Sequence, residues 1–440
     1  MIQRIDPRPH AKCHNGTGAH RDTGHEKKPA VIDLFAGCGG LSLGLEEAGF
    51  HPLLFSELNR QAADTYLANR QGMDIVEVSD IYKLTNKLIR NLKWEWSKKG
   101  YGEIDLVCGG PPCQGFSGIG HRRTFRLSKR DIPSNHLFLE MIRVIEEIQP
   151  KIFLFENVKG LLNSRWTPNG QKGEIWKAVL TAFRKIPGYN IRWDLIHSKD
   201  YGVPQNRPRV LMVGLRDEIY FRSIKRGVMN PSIEEAPAVD AGFLPSGADT
   251  PPSIPELLSD LEDPEFEAKD CNPSYLRDPK SEIQIHLRTR RDGRLMKKGQ
   301  PLSEHEYSKH AVYIREKYEH MINNGGEIPP KFRTKKFAQR VFPKTWGPDG
   351  PNITATSLPE DYVHYKEPRS PTVREWARLQ TFPDWYVFKG PRTTGGRRRA
   401  GDPSKGIWDR DVPRYTQIGN AVPVRLAKKI GEHFVRLLAN

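Results

Sequence analysis

From residue 30 to about residue 80, short apolar runs alternate with helical patterns. The runs at 30–35, 52–56 and 75–78 have the length and composition of buried strands. Helical patterns over roughly 41–49 and 59–70 separate them. Strands and helices that alternate in this way form a parallel sheet with helices on its faces. The alternation therefore predicts an α/β fold that begins near residue 30.

The alternation continues to about residue 216. Apolar runs at 104–108, 152–155 and 210–215 predict further strands. Apolar residues at helical spacing predict a helix over 137–148, which must end before Pro150. These elements extend the predicted sheet through the first half of the chain.

Beyond residue 216 the pattern changes. Residues 240–258 are rich in Pro, Gly and Ser, and we interpret them as a linker. Residues 259–365 show no clear period, whereas helical patterns return at 371–380 and 423–438. We predict a flexible N-terminal arm, a catalytic and cofactor-binding domain, a second and smaller domain, and a C-terminal return to the first domain. Their predicted ranges are 1–29, 30–216, 217–365 and 366–440.

The charge of the chain indicates a polyanionic partner. Its 440 residues carry a formal net charge of +16, with a pI of about 9.5. A folded protein this basic typically meets nucleic acid. No apolar run approaches the roughly 18 residues that a membrane span needs. Five cysteines, few and odd in number and without a signal peptide, favour reduced thiols in a cytosol-like compartment. We predict no metal, since the His and Cys residues of the N-terminal arm match no closed zinc pattern.

A glycine-rich turn after the first predicted strand indicates a cofactor. The turn AGCGG at 36–40 precedes a helix, whose first N–H groups are free to bind a ligand. Glu57, at the end of the next strand, is placed to accept hydrogen bonds from ribose hydroxyls. A nucleoside-bearing cofactor is therefore predicted. The turn alone does not distinguish NAD from S-adenosyl-L-methionine, and a turn that serves packing only is the alternative.

Ionisable residues lie at the ends of three predicted strands. Cys113 follows two prolines directly after the strand at 104–108, in a loop rather than a core setting. Glu156 ends the next strand, and Arg207 and Arg209 precede a further one. Ligands of open α/β sheets bind beyond the carboxyl ends of strands, so these side chains could converge at one site. The sequence leaves open whether the two arginines, which precede their strand, lie at the same edge. Each alone has an ordinary structural explanation, and their joint occurrence favours a site.

These residues belong to motifs that resemble those of the DNA cytosine-C5 methyltransferases. The resemblance spans about residues 30–435, in the family's order, and the middle region matches in position and length only. The matching blocks are DLFAGCGG (33–40), GGPPCQGFS (109–117), ENVKG (156–160), QNRPR (205–209), RSPTVREWARLQTFPD (369–384) and QIGNAVPVRLAKKIG (417–431). The resemblance implies a Rossmann-like, doubly wound, mostly parallel sheet of the S-adenosyl-L-methionine-dependent methyltransferases. It also implies that 217–365 is a target recognition domain.

The resemblance implies catalysis through a covalent adduct. Cys113 matches the nucleophile that adds to C6 of cytosine and makes C5 reactive toward a methyl group. Glu156 matches the residue that binds N3 and the exocyclic amine. Arg207 and Arg209 match the pair that contacts the cytosine carbonyl and neighbouring phosphates, for which the arginine fork is suited. Because a stacked base is out of reach, the cytosine must be flipped out of double-stranded DNA.

The resemblance also implies a cofactor pocket for S-adenosyl-L-methionine. Phe35, Gly37 and Gly39 are expected around the methionine part, and Glu57 at the ribose. Leu58, Asp80 and Ile81 are expected to flank the adenine. The remaining expected cofactor residues are Pro112, Asn420 and Val422. The position of the last two implies that the C-terminal helix packs back beside the first strand.

DNA contacts are expected in a basic flap. Residues 114–135 contain three glycines and five Lys or Arg against one Asp, as suits a loop that closes over the site and touches phosphates. The expected DNA-binding residues are Gln114, Ser117, Arg122 and Arg123. The basic segment 331–344 is expected to add phosphate contacts, which carry no sequence information.

Two alternatives use the same motifs. A tRNA cytosine methyltransferase would have a shorter middle region and a Cys-Phe-Thr element, which the sequence lacks. A catalytically inactive DNA-binding regulator would have lost the PCQ or ENV residues, which are intact. The favoured setting is a prokaryotic restriction-modification system, in which a cognate endonuclease shares the target site. In that setting we expect a cytoplasmic, nucleoid-associated monomer.

Overall fold

A computed structural model of the chain describes residues 2–4, 28–112, 133–229, 236–333, 339–345, 347, 350–355, 357–394 and 411–439. The strands are β1 Ile2–Arg4, β2 Ala30–Leu34, β3 His51–Ser56, β4 Val76–Val78, β5 Leu106–Gly109, β6 Ile152–Val158, β7 Tyr189–His197, β8 Pro208–Arg216, β9 Arg340–Val341 and β10 Tyr362–Val363. The α-helices are α1 Gly40–Glu47, α2 Arg60–Ala68, α3 Asn86–Lys98, α4 Leu137–Ile148, α5 Glu174–Arg184, α6 Asp217–Lys225, α7 Ile254–Leu258, α8 Glu282–Arg288, α9 Val312–Asn323, α10 Val373–Leu379, α11 Arg414–Asn420 and α12 Val424–Leu438.

Eight strands form the central sheet in the order β1-β4-β3-β2-β5-β6-β8-β7. Neighbouring strands from β4 through β6 pair in parallel, whereas β8 is antiparallel to both β6 and β7. The strand order reverses direction between β2 and β5, so the carboxyl ends of these two strands flank a crevice where α/β sheets bind ligands. The predicted doubly wound, mostly parallel sheet is confirmed.

Two sheet strands were not predicted. Strand β7 has a mixed polar sequence and half-exposed side chains, because it lies at the edge of the sheet and has a neighbour on one side only. At the other edge, β1 pairs antiparallel with β4, with Ile2 opposite Val78 and Arg4 opposite Val76. The expectation of a flexible arm is therefore wrong for Ile2–Arg4. Residues 5–27 of the predicted arm lie outside the described residues.

The two faces of the sheet bury separate apolar clusters. Ile32, Leu34 and Val107 belong to one cluster, and their chain neighbours Val31 and Leu106 belong to the other. This division follows from the alternation of side chains along a strand. Helices α3, α4 and α5 cover the first face, and α1, α6 and α12 cover the second. The predicted strands are apolar on both faces because helices cover both faces of the sheet.

The segment interpreted as a linker is packed into the protein. Phe243 and Leu244 are buried in the second cluster, against the sheet and α12. Helix α7 follows, and Ser253 begins it with a capping box to Glu256. The linker interpretation is wrong because Pro, Gly and Ser indicate irregular backbone, which can still be buried through the few apolar residues between them.

A third cluster joins the middle region to the C-terminal segments. Leu257 and Leu287 pack in it with Trp376 of α10 and Ile418 of α11. A buried ionic network reinforces this contact, since Arg378 binds both Asp260 and Asp384 at 2.6 Å. Further charged side chains in the same region pair in the same way, as Arg288 does with Asp260. The domain boundaries at 216 and 365 stay a prediction.

Helices α1 and α12 approach each other closely at Gly44. A methyl group there would lie 2.4 Å from the carbonyl oxygen of Val424 and 2.5 Å from Cβ of Ala427. Neither contact can relax without moving the helices apart. We expect Gly44→Ala to lower the free energy of unfolding by about 2–3 kcal/mol, despite the better helix propensity of alanine. Urea denaturation measures this difference.

Gly102→Ala is the matched control for Gly44→Ala. A methyl group at residue 102 meets no atom within 4 Å. We expect this variant to unfold at nearly the same urea concentration as the unaltered protein. If Gly44→Ala were as stable as Gly102→Ala, the close contact between α1 and α12 would be refuted.

Candidate active site

Glu156 and Arg209 form an ion pair at the edge of the sheet. Glu156 lies opposite Leu211 and Arg209 lies opposite Val158, so the two side chains are diagonal neighbours on one face of the β6–β8 pair. Arg209 Nε lies 2.7 Å from Glu156 Oε1. The side chains are 9% and 14% exposed. Because β8 runs antiparallel to β6, the start of β8 meets the carboxyl end of β6. The sequence left open whether the arginines shared this edge, and Arg209 does.

The segment before Cys113 lies against the same carboxylate. A Cβ atom at Gly110 would lie 2.7 Å from Glu156 Oε2, so only glycine leaves room for this side chain. Asn157 Nδ2 donates to the carbonyl oxygen of Pro111 at 3.1 Å. The described chain thus passes beside Glu156 and continues to Pro112, the neighbour of Cys113 in sequence. Cys113 lies outside the described residues, as do the predicted DNA contacts Gln114, Ser117, Arg122 and Arg123.

Burial shapes the electrostatics of the two arginines. It lowers the pKa of Arg209, and the adjacent Glu156 carboxylate opposes this effect. Burial lowers the pKa of Arg207 more strongly, and Arg209 adds to that effect by repulsion. Both side chains nevertheless stay protonated at neutral pH, as arginine does in proteins. The site therefore holds a carboxylate against a positive charge that water cannot screen.

Arg207 does not contact Glu156 or the open edge of the site. Its side chain has no exposed surface, and the guanidinium donates to backbone carbonyl oxygens instead. The acceptors are the carbonyls of Ile353, of Gly419 at 2.8 Å, of Ala421 at 3.0 Å and of Asn420 at 3.4 Å. Of the two arginines, only Arg209 pairs with Glu156, and the expectation that both contact the cytosine stays a prediction. Sequence did not show this, because both residues precede the strand and alternate on an extended segment.

The glycine-rich turn has backbone geometry that few sequences adopt. Phe35 and Gly37 have φ angles of 59° and 57°, and Gly39 has 86°. A positive φ at a bulky residue such as Phe35 is strained, and such strain clusters at ligand sites. At Gly37 a Cβ atom would meet nothing within 4 Å, so this part of the turn faces open space. The turn can therefore receive a ligand.

Glu57 holds the turn in place. Its carboxylate accepts from the backbone N–H of Gly37 at 2.9 Å and from that of Asn59 at 2.7 Å. The side chain is half-buried at the carboxyl end of β3. The expected contact of Glu57 with a ribose stays a prediction, and the hydrogen bonds to the turn give it a structural role that the sequence did not indicate. Glu57 therefore ties the turn after β2 to the end of β3.

The expected adenine-side residues follow the ends of two neighbouring strands. Leu58 is 77% exposed after β3, which is unusual for a leucine. Asp80 follows β4 and accepts from the N–H of Tyr82 at 3.1 Å, while Ile81 is buried. Tyr82, which sequence reasoning missed, is 57% exposed. Parallel strands end at the same sheet edge, so these apolar surfaces border one region.

The C-terminal motif lies beside the start of α1. A Cβ atom at Gly40 would lie 2.5 Å from the carbonyl oxygen of Val422, so the two segments touch through their backbones. Val422 is buried and Asn420 is exposed. The structure thus brings Val422 to the glycine-rich turn, and the expected cofactor contacts of Asn420 and Val422 stay a prediction. The predicted return of the C-terminal helix to the first domain is also seen in the packing of α12 on α1.

A buried polar cluster supports the turn from below. Ser42 Oγ donates to Asp33 at 2.6 Å, and burial raises the pKa of Asp33 to about 7. Arg70 donates to the carbonyl of Gly39 at 3.2 Å and pairs with Glu46 at 2.6 Å. Sequence reasoning missed Arg70, because an arginine after a polar helix is usually solvent-exposed.

Two other thiols near the sheet are unsuited to nucleophilic chemistry. Cys38 and Cys108 are buried, and burial raises the pKa of Cys38 to about 12 and that of Cys108 well above its ordinary value. Within the described ranges, no group of three or more His, Cys, Asp or Glu side chains is arranged to hold a metal ion. No helix in the described parts is long and apolar enough to cross a membrane.

Comparison with known proteins agrees with the motifs. Residues 30–436 match the family model of the C-5 cytosine-specific DNA methylases. The chain is 29% identical to the type II methyltransferase M.DdeI of Desulfomicrobium norvegicum, over 91% of this chain and 87% of that protein. It is 31% identical to M.PspPI of a Psychrobacter species, over 93% and 79% of the two chains. A solved structure of a putative prophage-encoded DNA modification methyltransferase from E. coli has a TM-score of 0.62 at 24% identity, covering 93% of this chain and 99% of that one.

Proposed function

This chain belongs to the C-5 cytosine-specific DNA methylase family, and we propose that it methylates a flipped-out cytosine of duplex DNA through an adduct with Cys113. The observation that carries the proposal is the Glu156–Arg209 pair, which lies beside Gly110 and the Pro-Pro segment that leads to Cys113. The pair supports the proposal because the described chain passes beside this carboxylate just before the nucleophile in sequence.

The proposed reaction needs both groups. The Cys113 thiolate adds to C6 of the cytosine, and the electron pair of the C5–C6 double bond makes C5 nucleophilic. S-adenosyl-L-methionine supplies the methyl group that C5 acquires. A base then removes the proton from C5, the double bond re-forms and the thiolate leaves. The net products are 5-methylcytosine, S-adenosylhomocysteine and one proton.

Glu156 and Arg209 would hold the base for this addition. One oxygen of Glu156 accepts from the exocyclic amine of the cytosine, and the other shares a proton with N3, which draws electron density away from C6 and favours attack by the thiolate. Arg209 fixes the carboxylate through the 2.7 Å contact and offers its remaining donors to the cytosine carbonyl. Because both side chains are largely buried, little of their geometry must reorganise when the base enters.

The described residues fit the cofactor. The strained turn at Phe35 and Gly37, with open space beside it, suits the methionine part. Glu57 stands at the position for the ribose, and the exposed side chain of Leu58 is available to cover the adenine. Val422, packed against Gly40, closes the same region from the C-terminal motif. Pro112, Asp80, Ile81 and Asn420 complete the proposed pocket.

The biological setting follows from the relatives, which are type II methyltransferases. We assign target recognition to 217–365, and DNA contact to Gln114, Ser117, Arg122 and Arg123. The enzyme acts as a monomer in the cytoplasm of a prokaryotic cell, on nucleoid DNA. A cognate endonuclease reads the same target site without needing to bind the methyltransferase.

Transfer of a labelled methyl group tests the function. The protein is incubated with methyl-labelled S-adenosyl-L-methionine and either plasmid DNA or tRNA. We expect label in the DNA and none in the tRNA, because the chain has a long middle region suited to reading duplex DNA. Base-resolution mapping of 5-methylcytosine in the product should find a single short target sequence. Label in tRNA alone would contradict the proposal, as would a DNA product methylated on the cytosine amine.

A further inference from the structure

Arg207 donates to backbone carbonyls of two segments that are distant from each other in sequence. One segment, residues 419–421, belongs to the C-terminal motif that borders the glycine-rich turn, and we call it the cofactor-side loop. The other, Gly347 and residues 350–354, belongs to the middle region, and we call it the recognition-side segment. The guanidinium of Arg207 donates to Gly419 and Ala421 in the first and to Ile353 in the second.

The neighbours of Arg207 in sequence bind the recognition-side segment as well. The N–H of Asn206 donates to the carbonyl of Pro351 at 2.8 Å, and its side-chain amide donates to Gly347 at 3.3 Å. Gln205 Oε1 accepts from the N–H of Ile353 at 3.2 Å. The motif that carries Arg209 is therefore attached to the recognition-side segment at three consecutive residues.

The cofactor-side loop is attached at the same junction. Gln380 Nε2 donates to Ile418 at 2.8 Å and to Ala421 at 3.2 Å, and its Oε1 accepts from Gln205 at 3.0 Å. The loop also touches the recognition-side segment directly, since a Cβ atom at Gly419 would lie 2.2 Å from the carbonyl oxygen of Thr354. The two segments are closely packed against each other, so displacement of one segment requires displacement of the other.

The buried charge of Arg207 makes this junction sensitive to position. A fully buried guanidinium is costly unless most of its donors are matched. Nη1 and Nη2 of Arg207 donate to carbonyl groups of both segments, whereas Nε has no partner among the described residues. Displacement of one segment leaves part of the cation unpaired, which raises the free energy of that arrangement. A ligand that fixes one segment thereby lowers the cost of fixing the other.

We infer that Arg207 is a positioning residue that couples cofactor binding to DNA binding by holding the cofactor-side loop and the recognition-side segment in one arrangement. The inference rests on the proposed function, because it takes the first segment as bordering the cofactor and the second as part of the target recognition domain. Arg207 then has a different task from Arg209, which lies two residues further on and contacts Glu156.

Binding measurements test this coupling without turnover. The dissociation constant of a short fluorescent duplex, carrying the site found by mapping 5-methylcytosine, is measured with and without saturating S-adenosylhomocysteine. For the unaltered protein we expect the added ligand to tighten DNA binding by about 5-fold or more. Arg207→Lys keeps the charge but not the fork of donors, and we expect the ratio to fall to about 1–2. Arg209→Lys is the matched control, and it should lower turnover while keeping the ratio.

The outcomes separate the inference from the function. A ratio in Arg207→Lys equal to that of the unaltered protein would overturn the inference, even if the variant melts at a lower temperature. An equal loss in Arg209→Lys would overturn it too, because the effect would not belong to the junction. If Arg207→Lys does not fold by circular dichroism, Gly419→Ala decides, since it separates the segments and should also reduce the ratio. An unaltered protein that methylates DNA without coupling refutes only this inference, whereas one that binds neither ligand refutes the proposed function.

Discussion

Cys113→Ser should lower methyl transfer to duplex DNA by on the order of 10³-fold or more. A serine hydroxyl is scarcely ionised at neutral pH and is a harder nucleophile than a thiolate, so addition to C6 becomes slow. Binding of DNA and of S-adenosylhomocysteine should change little, because the substitution removes one polarisable atom and no charge at rest. The rate of label transfer from methyl-labelled S-adenosyl-L-methionine measures the effect. Equilibrium binding of both ligands shows that the variant is intact.

DNA that contains 5-fluorocytosine gives a second measurement of the same step. Fluorine replaces the C5 proton that must leave, so the adduct cannot break down and the enzyme stays attached to the DNA. We expect this complex for the unaltered protein and for Cys271→Ser, whose exposed cysteine lies in the middle region. Cys113→Ser should form none. A Cys113→Ser variant that methylates cytosine at the normal rate would rule out the covalent mechanism.

The sheet was predictable because its strands are buried on both faces. Runs such as those at 30–35 and 152–155 consist almost entirely of apolar residues, and a central parallel strand is the structure that requires this. Strand β7 was not predicted because it lies at the edge of the sheet and pairs only with β8. Its sequence therefore contains polar residues and lacks a continuous apolar run. Strand β1 is three residues long and carries no pattern at all.

The part of the candidate site that could be predicted consists of residues at or near the ends of sheet strands. Glu57 follows β3 and Glu156 lies two residues before the end of β6, and because these strands are parallel in one sheet both side chains lie toward the same edge. The separate task of Arg207 could not be predicted, because it depends on carbonyl groups of residues 353 and 419–421, more than a hundred positions away in sequence. Local sequence gives the chemistry of a side chain, and only the packing of distant segments decides which partners it meets.

Glu156→Gln is expected to lower kcat by about 10²–10⁴-fold. The amide has nearly the same shape as the carboxylate, so the base can still enter the site. Its N–H group faces N3 and its carbonyl oxygen faces the exocyclic amine. The amide lacks the negative charge that the ion pair with Arg209 requires. The amide can still donate an N–H to N3, but it has no acidic proton to share with N3, so activation of C6 toward the thiolate is lost. Single-turnover methylation with DNA in excess of its dissociation constant measures this effect apart from binding.

Loss of stability is the competing explanation for a defect in Glu156→Gln, because the variant leaves Arg209 buried without its partner. Glu77→Gln is the matched control. Glu77 has a side chain only 5% exposed, lies in β4 of the same sheet and pairs with Arg60 at 2.8 Å. Both variants should melt below the unaltered protein, but Glu77→Gln should keep its kcat at a temperature where it is folded. Glu156→Gln should also form the 5-fluorocytosine complex more slowly, because Glu156 acts before the methyl group is transferred. If Glu156→Gln retained normal single-turnover rates while melting early, its carboxylate would serve only to pair with Arg209, and the base would be held by other groups.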